Sequence, residues 1–132
     1  MITIEEIKKE VQLYQIELEK PIPLEINACI ERLSFLSGIH SRTGYLLANG
    51  KKNLRIVKNE QLQVHLKRTF EKFLSSKIQN TLLEGFAIEE SYIVELLEMM
   101  NLSCTQQIEI CRTIISKEKE AMKFAGISPK NL

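Results

Sequence analysis

The segment Leu36–Lys52, LSGIHSRTGYLLANGKK, decides the fold, because it determines whether one helix or two occupy the middle of the chain. It contains Gly38, Gly44 and Gly50, and its Asn49-Gly50 dipeptide is typical of turns. A phosphate-binding loop needs closely spaced glycines between a strand and a helix, and no strand pattern precedes these. Each glycine costs a helix only about 1 kcal/mol relative to alanine. The glycines therefore do not exclude a helix.

The apolar pattern continues through this segment at helical spacing. Residues three or four positions apart form one face, namely Ile26, Ile30, Leu33, Leu36, His40, Thr43 and Leu47. Leu54 and Val57 continue the pattern beyond Asn49-Gly50. We therefore predict a long helix over about residues 24–83, with His40 at a buried or interfacial position. A break at 49–50, giving a tight helical hairpin, is the alternative.

Two further helices flank the long one. Thr3 and Glu6 have the spacing of a capping box, and a predicted helix over about 4–19 ends at the Pro21 and Pro23 pair. Its apolar face consists of Ile4, Ile7, Val11, Tyr14 and Leu18. A last helix is predicted over about 89–124, after the break at Gly85. Its apolar positions are Ile93, Leu97, Met100, Cys104, Ile108, Cys111, Ile115 and Met122.

Composition also favours helices. All 17 acidic residues are glutamate, a good helix former, and no proline lies between Leu24 and Ile127. A length of 132 residues suits one domain. We therefore predict an all-α fold over residues 1–132, either an elongated helical hairpin or a three- to four-helix bundle with coiled-coil-like seams.

The sequence shows no pattern typical of a catalytic, metal or cofactor site. No Cys-x-x-Cys or His-x-x-x-His motif is present, and Cys29, Cys104 and Cys111 fall on apolar stripes. An odd number of cysteines argues against a disulfide framework. No apolar run approaches the roughly 18–20 residues that span a bilayer, and the first residues do not read as a signal peptide. We predict a cytoplasmic protein that is not an enzyme.

Charge is distributed unevenly along the chain. Residues 51–80 contain eight Lys or Arg and two Glu, whereas residues 81–111 contain six Glu and neither Lys nor Arg. The basic residues are Lys51, Lys52, Arg55, Lys58, Lys67, Arg68, Lys72 and Lys77. They form a candidate stripe for nucleic-acid phosphates. The favoured interpretation is instead that the acidic segment folds back antiparallel and pairs with them.

The segment Ile30–Lys52, IERLSFLSGIHSRTGYLLANGKK, and the closing CTQQIEICRTIISKEKEAMKFA carry a resemblance. The chain resembles a loose group of small helical proteins of bacteriophages and mobile elements, which have an RLS…RTG-x-LLA-(D/N)-x-K segment in a long helix. The resemblance covers about Leu24–Ala125 and implies an all-helical fold and a phage or prophage setting. Where the group has Ala-Asp-Ala-Lys, this chain has Ala48-Asn49-Gly50-Lys51.

The predicted apolar faces are more extended than a single elongated chain can bury, which favours a symmetric homo-oligomer. We therefore expect a non-enzymatic helical assembly or adaptor protein of a phage or mobile element, which acts through protein–protein contacts and self-association. The alternative is an accessory protein that binds nucleic acid through residues 51–77.

Overall fold

The structure is a computed structural model, and it describes residues 2–66 and 76–126. These residues form four α-helices: α1 (Ile4–Glu19), α2 (Ile26–Leu66), α3 (Ser76–Phe86) and α4 (Ile88–Phe124). All regular secondary structure in the described residues is helical, which confirms the predicted all-α fold.

Helix α1 begins at the capping box that the sequence predicts. The Glu6 amide donates to Thr3 Oγ1 at 3.2 Å, and the Thr3 amide donates to a Glu6 carboxylate oxygen at 3.1 Å. The two bonds satisfy backbone groups that have no partner within the helix. The helix ends at Glu19, before Pro21 and Pro23, because proline cannot donate to the helical ladder.

Helix α2 continues through Asn49 and Gly50 without a break. The Asn49 side-chain amide donates to the Tyr45 carbonyl at 2.9 Å, one turn earlier, so this polar side chain is satisfied within a continuous helix. The helix starts at Ile26, where the Glu25 carboxylate accepts from the amides of Asn27 and Ala28. At 41 residues it is roughly 60 Å long. Its predicted continuation to Leu83 includes residues 67–75, which lie outside the described residues.

Helices α2 and α4 pack antiparallel over most of their length. Gly50 lies against Val94, Gly44 lies against Asn101, and Arg32 donates to Gln107, so residue numbers rise along α4 as they fall along α2. Small residues on α2 allow the two helices to approach closely. Helix α1 packs on this pair and runs antiparallel to α2, because Glu10 bonds to Arg42 while the carbonyl of Lys20 accepts from Arg32.

The core lies between α1, α2 and α4. Its cluster of buried side chains contains Ile7, Val11, Leu18, Leu36, Ile39, Leu46, Ile93, Leu97, Met100, Cys104 and Cys111. The faces predicted on α1 and α4 supply most of it. On α2 the predicted face is partly wrong, because Ile39 and Leu46 are buried whereas Leu47 is only half-buried and Ile30 is exposed.

A polar cluster joins the three packed helices where α1 ends. The Gln107 amide donates to the Leu18 carbonyl at 2.9 Å, and Arg32 Nη2 donates to the Lys20 carbonyl at 3.0 Å and to Gln107 Oε1 at 2.9 Å. Carbonyls at a helix C-terminus lack partners within the helix and carry a partial negative charge. The Arg32 guanidinium therefore takes the place of the basic residue that the last turn of α1 lacks.

Candidate functional site

Four of the candidate phosphate-binding residues lie on one broad side of α2. We call Lys51, Lys52, Arg55 and Lys58 the basic face; at 100° per residue they cover about 120° of the helix circumference. Three of these side chains are exposed and Lys58 is half-buried. Lys77 is exposed on α3. The remaining candidates, Lys67, Arg68 and Lys72, lie outside the described residues.

The acidic segment pairs with the basic face at one position. Lys51 Nζ lies 3.4 Å from a Glu98 carboxylate oxygen. Within the described residues, Lys52, Arg55 and Lys58 make no ion pair. The register explains this for Lys58: since Gly50 lies beside Val94, residues beyond about 57 extend past the start of α4. Most of the basic face is therefore unpaired across the described part of the chain.

Helix α4 carries an exposed row of apolar side chains that sequence analysis did not identify. We call this row the α4 stripe; it consists of Ile88, Tyr92, Met99, Leu102 and Ile110. At 100° per residue, all five lie within about 40° of one line along the helix. Met99 is 71% exposed and Leu102 is 57% exposed. The line lies roughly opposite Ile93, Leu97 and Cys104, which face the core.

The α4 stripe is acidic. Glu95 lies within it, and Glu98 and Glu109 lie along one edge. Glu95 and Glu109 make no ion pair with any described residue, whereas Glu98 is held by Lys51. Glu89, farther around the helix, pairs with Lys8 of α1 at 2.8 Å. The stripe therefore combines exposed apolar side chains with uncompensated negative charge.

A groove of about 590 Å³ opens where the start of α1, the middle of α2 and the start of α4 meet. Its apolar lining comes largely from the side chains of Ile2, Ile4, Ile7, Ile56 and Ile93. Tyr45, Asn49, Lys52, Asn53 and Glu90 contribute its polar groups. We call it the α1–α2 groove. Lys52 lines the groove and also belongs to the basic face, so the groove adjoins the basic face.

His40 lies at the α2–α4 interface, half-buried, as the sequence predicts. Its backbone carbonyl accepts from the Asn101 side-chain amide at 3.0 Å, and the same amide donates to the buried Thr43 hydroxyl at 3.0 Å. The Thr43 hydroxyl donates to the His40 carbonyl. Thus the backbone of His40, not its ring, takes part in an interhelical polar layer. Asn101 gave no sequence signal, because a single asparagine on a long helix is usually exposed.

A shallow cleft of about 290 Å³ opens beside the His40 side chain. It is lined by Ser37, His40, Ser41, Thr105, Ile108, Glu109 and Arg112. An activated nucleophile donates a hydrogen bond to a neighbouring base. Here the Ser37 and Thr105 hydroxyls donate to backbone carbonyls one turn earlier in their own helices. In the described ranges, no serine, threonine or cysteine side chain donates to a histidine or carboxylate.

A charged network fixes α1 on α2. Arg42 donates through Nε and Nη2 to both oxygens of Glu10, at 2.6 and 3.1 Å, and the Tyr14 hydroxyl donates to Glu10 at 2.5 Å. The bond from Arg42 lowers the pKa of the Glu10 carboxyl. Burial, together with the bond to Glu10, raises the pKa of Tyr14 to about 12. Arg42 also lies 5.5 Å from the Tyr45 ring centroid, a distance typical of cation–π contacts.

The three cysteines are free and buried. Burial raises the pKa of the Cys29 and Cys104 thiols, which disfavours the reactive thiolate. The described residues contain no group of three or more His, Cys or Glu side chains arranged to hold a metal ion. Nor does any helix in the described part of the chain have the length and apolar character needed to cross a membrane.

No protein family, characterised protein or solved structure matches this chain in sequence or fold.

Proposed function

We propose that the chain is a non-enzymatic helical assembly or adaptor protein that acts through protein–protein contacts and self-association. The α4 stripe carries this proposal. Soluble monomers rarely expose large contiguous apolar patches, and such patches commonly mark binding surfaces. Here five large apolar side chains extend along roughly 33 Å of a single helix, from Ile88 to Ile110.

The shape of the molecule supports the same function. The described residues form long packed helices. The α1–α2 groove and the α4 stripe are open surfaces that another protein can contact. The phage or mobile-element setting implied by the resemblance belongs to this proposal.

Sedimentation velocity tests the proposal. We expect the mass of the wild-type protein to rise above the chain mass of 15.3 kDa as concentration increases. The double variant Met99→Gln/Leu102→Gln replaces two exposed apolar side chains with good helix formers, so it should weaken association and leave the fold intact. A wild-type protein that remains monomeric at every concentration would contradict self-association through the stripe.

An accessory role in nucleic-acid binding is the second candidate. It is favoured by one observation: Lys52, Arg55 and Lys58 make no ion pair within the described residues, so their charges are available to phosphates. Fluorescence anisotropy with DNA and RNA at two salt concentrations tests it. Binding that weakens steeply with salt, and that is lost in Arg55→Gln/Lys58→Gln, is expected if the basic face binds phosphates. Absence of binding at low salt would exclude this role for the basic face.

A further inference from the structure

We propose that the α4 stripe of one copy binds the α1–α2 groove and the adjoining basic face of a second copy, so that copies associate head to tail. This inference rests on the proposed function, since it assigns the partner for the surface that carries it.

The charge of the stripe opposes a simple pairing of α4 with another α4. Residues 81–111 contain no Lys or Arg, and the unpaired Glu95 and Glu109 lie in or beside the stripe. Two copies of the stripe facing each other would bring these carboxylates together. Like charges at an interface oppose association and act against wrong partners. The surface that covers the stripe should therefore be basic.

The groove and basic face complement the stripe in both apolar character and charge. The groove is lined by isoleucines, and its volume of about 590 Å³ can accept side chains such as Met99 and Leu102. Its lining includes one basic and one acidic residue, Lys52 and Glu90, so the excess positive charge comes from Arg55 and Lys58 on the same helix. A single chain thus carries two apolar surfaces with flanking charges of opposite sign. The α4 stripe is flanked by negative charge, and the groove is flanked by the positive charge of the basic face.

The groove and the apolar residues of the stripe lie on different sides of the molecule, and the basic face meets the edge of the stripe at the Lys51–Glu98 ion pair. On α4, Glu90 and Ile93 face the groove, whereas Tyr92 and Met99 belong to the stripe roughly opposite the core-facing side. Since the groove lining and the apolar residues of the stripe share no residue, one copy can use both at once. Contacts between two different patches generate rings when the rotation closes and filaments when it does not. We expect assemblies larger than a dimer.

A mixing experiment with two neutral double variants tests the inference. The stripe variant is Met99→Gln/Leu102→Gln, and the groove variant is Arg55→Gln/Ile56→Gln; all four side chains are exposed. Glutamine introduces no charge, so the variants cannot attract each other through a new ion pair. Each variant alone should lose self-association by more than about tenfold, because each lacks one of the two required surfaces.

Mixing the two variants should restore a single contact. The intact groove of the stripe variant can accept the intact stripe of the groove variant, and the remaining surfaces are both disabled. We therefore expect a one-to-one complex of twice the chain mass of 15.3 kDa and nothing larger. A control variant, Leu13→Gln/Ile16→Gln, removes exposed apolar side chains from the outer side of α1 and should associate like the wild type. Thermal unfolding of every variant checks that the fold is retained.

The other outcomes separate the inference from the proposed function. If the groove variant still self-associates and the mixture forms no one-to-one complex, α4 pairs with α4, which overturns the head-to-tail inference and leaves the assembly function standing. If the wild-type protein is monomeric throughout, both the inference and self-association through the stripe are refuted. If the α1 control loses association as well, the contact is non-specific and the inference fails.

Discussion

Replacing Gly50 with alanine tests the central packing contact between α2 and α4. A Cβ atom added at Gly50 would lie 3.5 Å from Val94 Cγ2, 3.8 Å from Leu97 Cδ1 and 4.0 Å from Ile93 Cγ2. These are ordinary van der Waals distances, so no neighbour has to move. Alanine also improves helix propensity by about 1 kcal/mol, and three new carbon contacts add about 0.1–0.2 kcal/mol each.

We therefore expect Gly50→Ala to stabilise the protein by about 1 kcal/mol, which raises Tm by roughly 3–5 °C for a chain of this size. Urea and thermal unfolding followed by far-UV circular dichroism measure both quantities. Gly38→Ala is the matched control, because Gly38 is exposed on the same helix and has nothing within 4 Å of an added Cβ. Gly38→Ala should gain stability from helix propensity but not from new carbon contacts.

Destabilisation by Gly50→Ala alongside stabilisation by Gly38→Ala would refute this reasoning. It would mean that the chain turns at Asn49-Gly50, where glycine would be needed for a left-handed conformation, or that α4 packs closer than the distances above. The larger substitution Gly50→Leu gives a second check. It should destabilise by about 1–3 kcal/mol, because its side chain would occupy the space of Val94 and Leu97.

Two further predictions concern polar contacts between helices. Asn101→Leu should destabilise the protein by about 1–3 kcal/mol in urea unfolding, because it removes the amide that donates to the His40 carbonyl and the buried Thr43 hydroxyl. Arg42 lowers the pKa of the Glu10 carboxyl in the folded state. The stability that the ionised Glu10 contributes is therefore present above the ordinary carboxyl pKa, and it is lost as pH falls through the lowered pKa. Glu10→Gln should therefore be less stable than the wild type at neutral pH, and the gap should narrow on acidification; a gap independent of pH would contradict this origin.

Sequence periodicity located the core faces of α1 and α4 well, because most of their buried residues, such as Val11, Leu18 and Leu97, are large and apolar. On α2 it was less accurate, for a physical reason. The helix contains adjacent apolar residues, such as Leu46 and Leu47. Either of them fits an apolar face with a spacing of three or four residues, so the spacing does not show which one is buried. Its true interface also uses Cys29 and Gly50, which are small and weakly hydrophobic, so they contribute little to a periodic signal.

The candidate site could be predicted less well than the fold. Charge counting identified the basic residues but predicted more internal ion pairs than exist in the described residues. The reason is that residue counts do not give the alignment of α2 with α4. The observed register leaves Arg55 and Lys58 near the end of the α2–α4 contact, and Glu89 is taken by Lys8 of α1. The α4 stripe was missed because a helix with apolar residues on two faces gives a mixed periodic signal.

The register of α2 and α4 determines which surfaces the molecule presents. Asn101 bonds beside Gly44, and Gly50 receives Val94 and Leu97; both contacts place the helices in the same alignment. A slide of one turn would separate Asn101 from Thr43 and bring a larger α2 side chain against Leu97. The aligned helices bury Ile93 and Leu97, and by helical geometry they leave Met99 and Leu102 directed outward. The same small and polar residues that fix the core therefore hold the stripe and the groove apart, which is the arrangement that head-to-tail association requires.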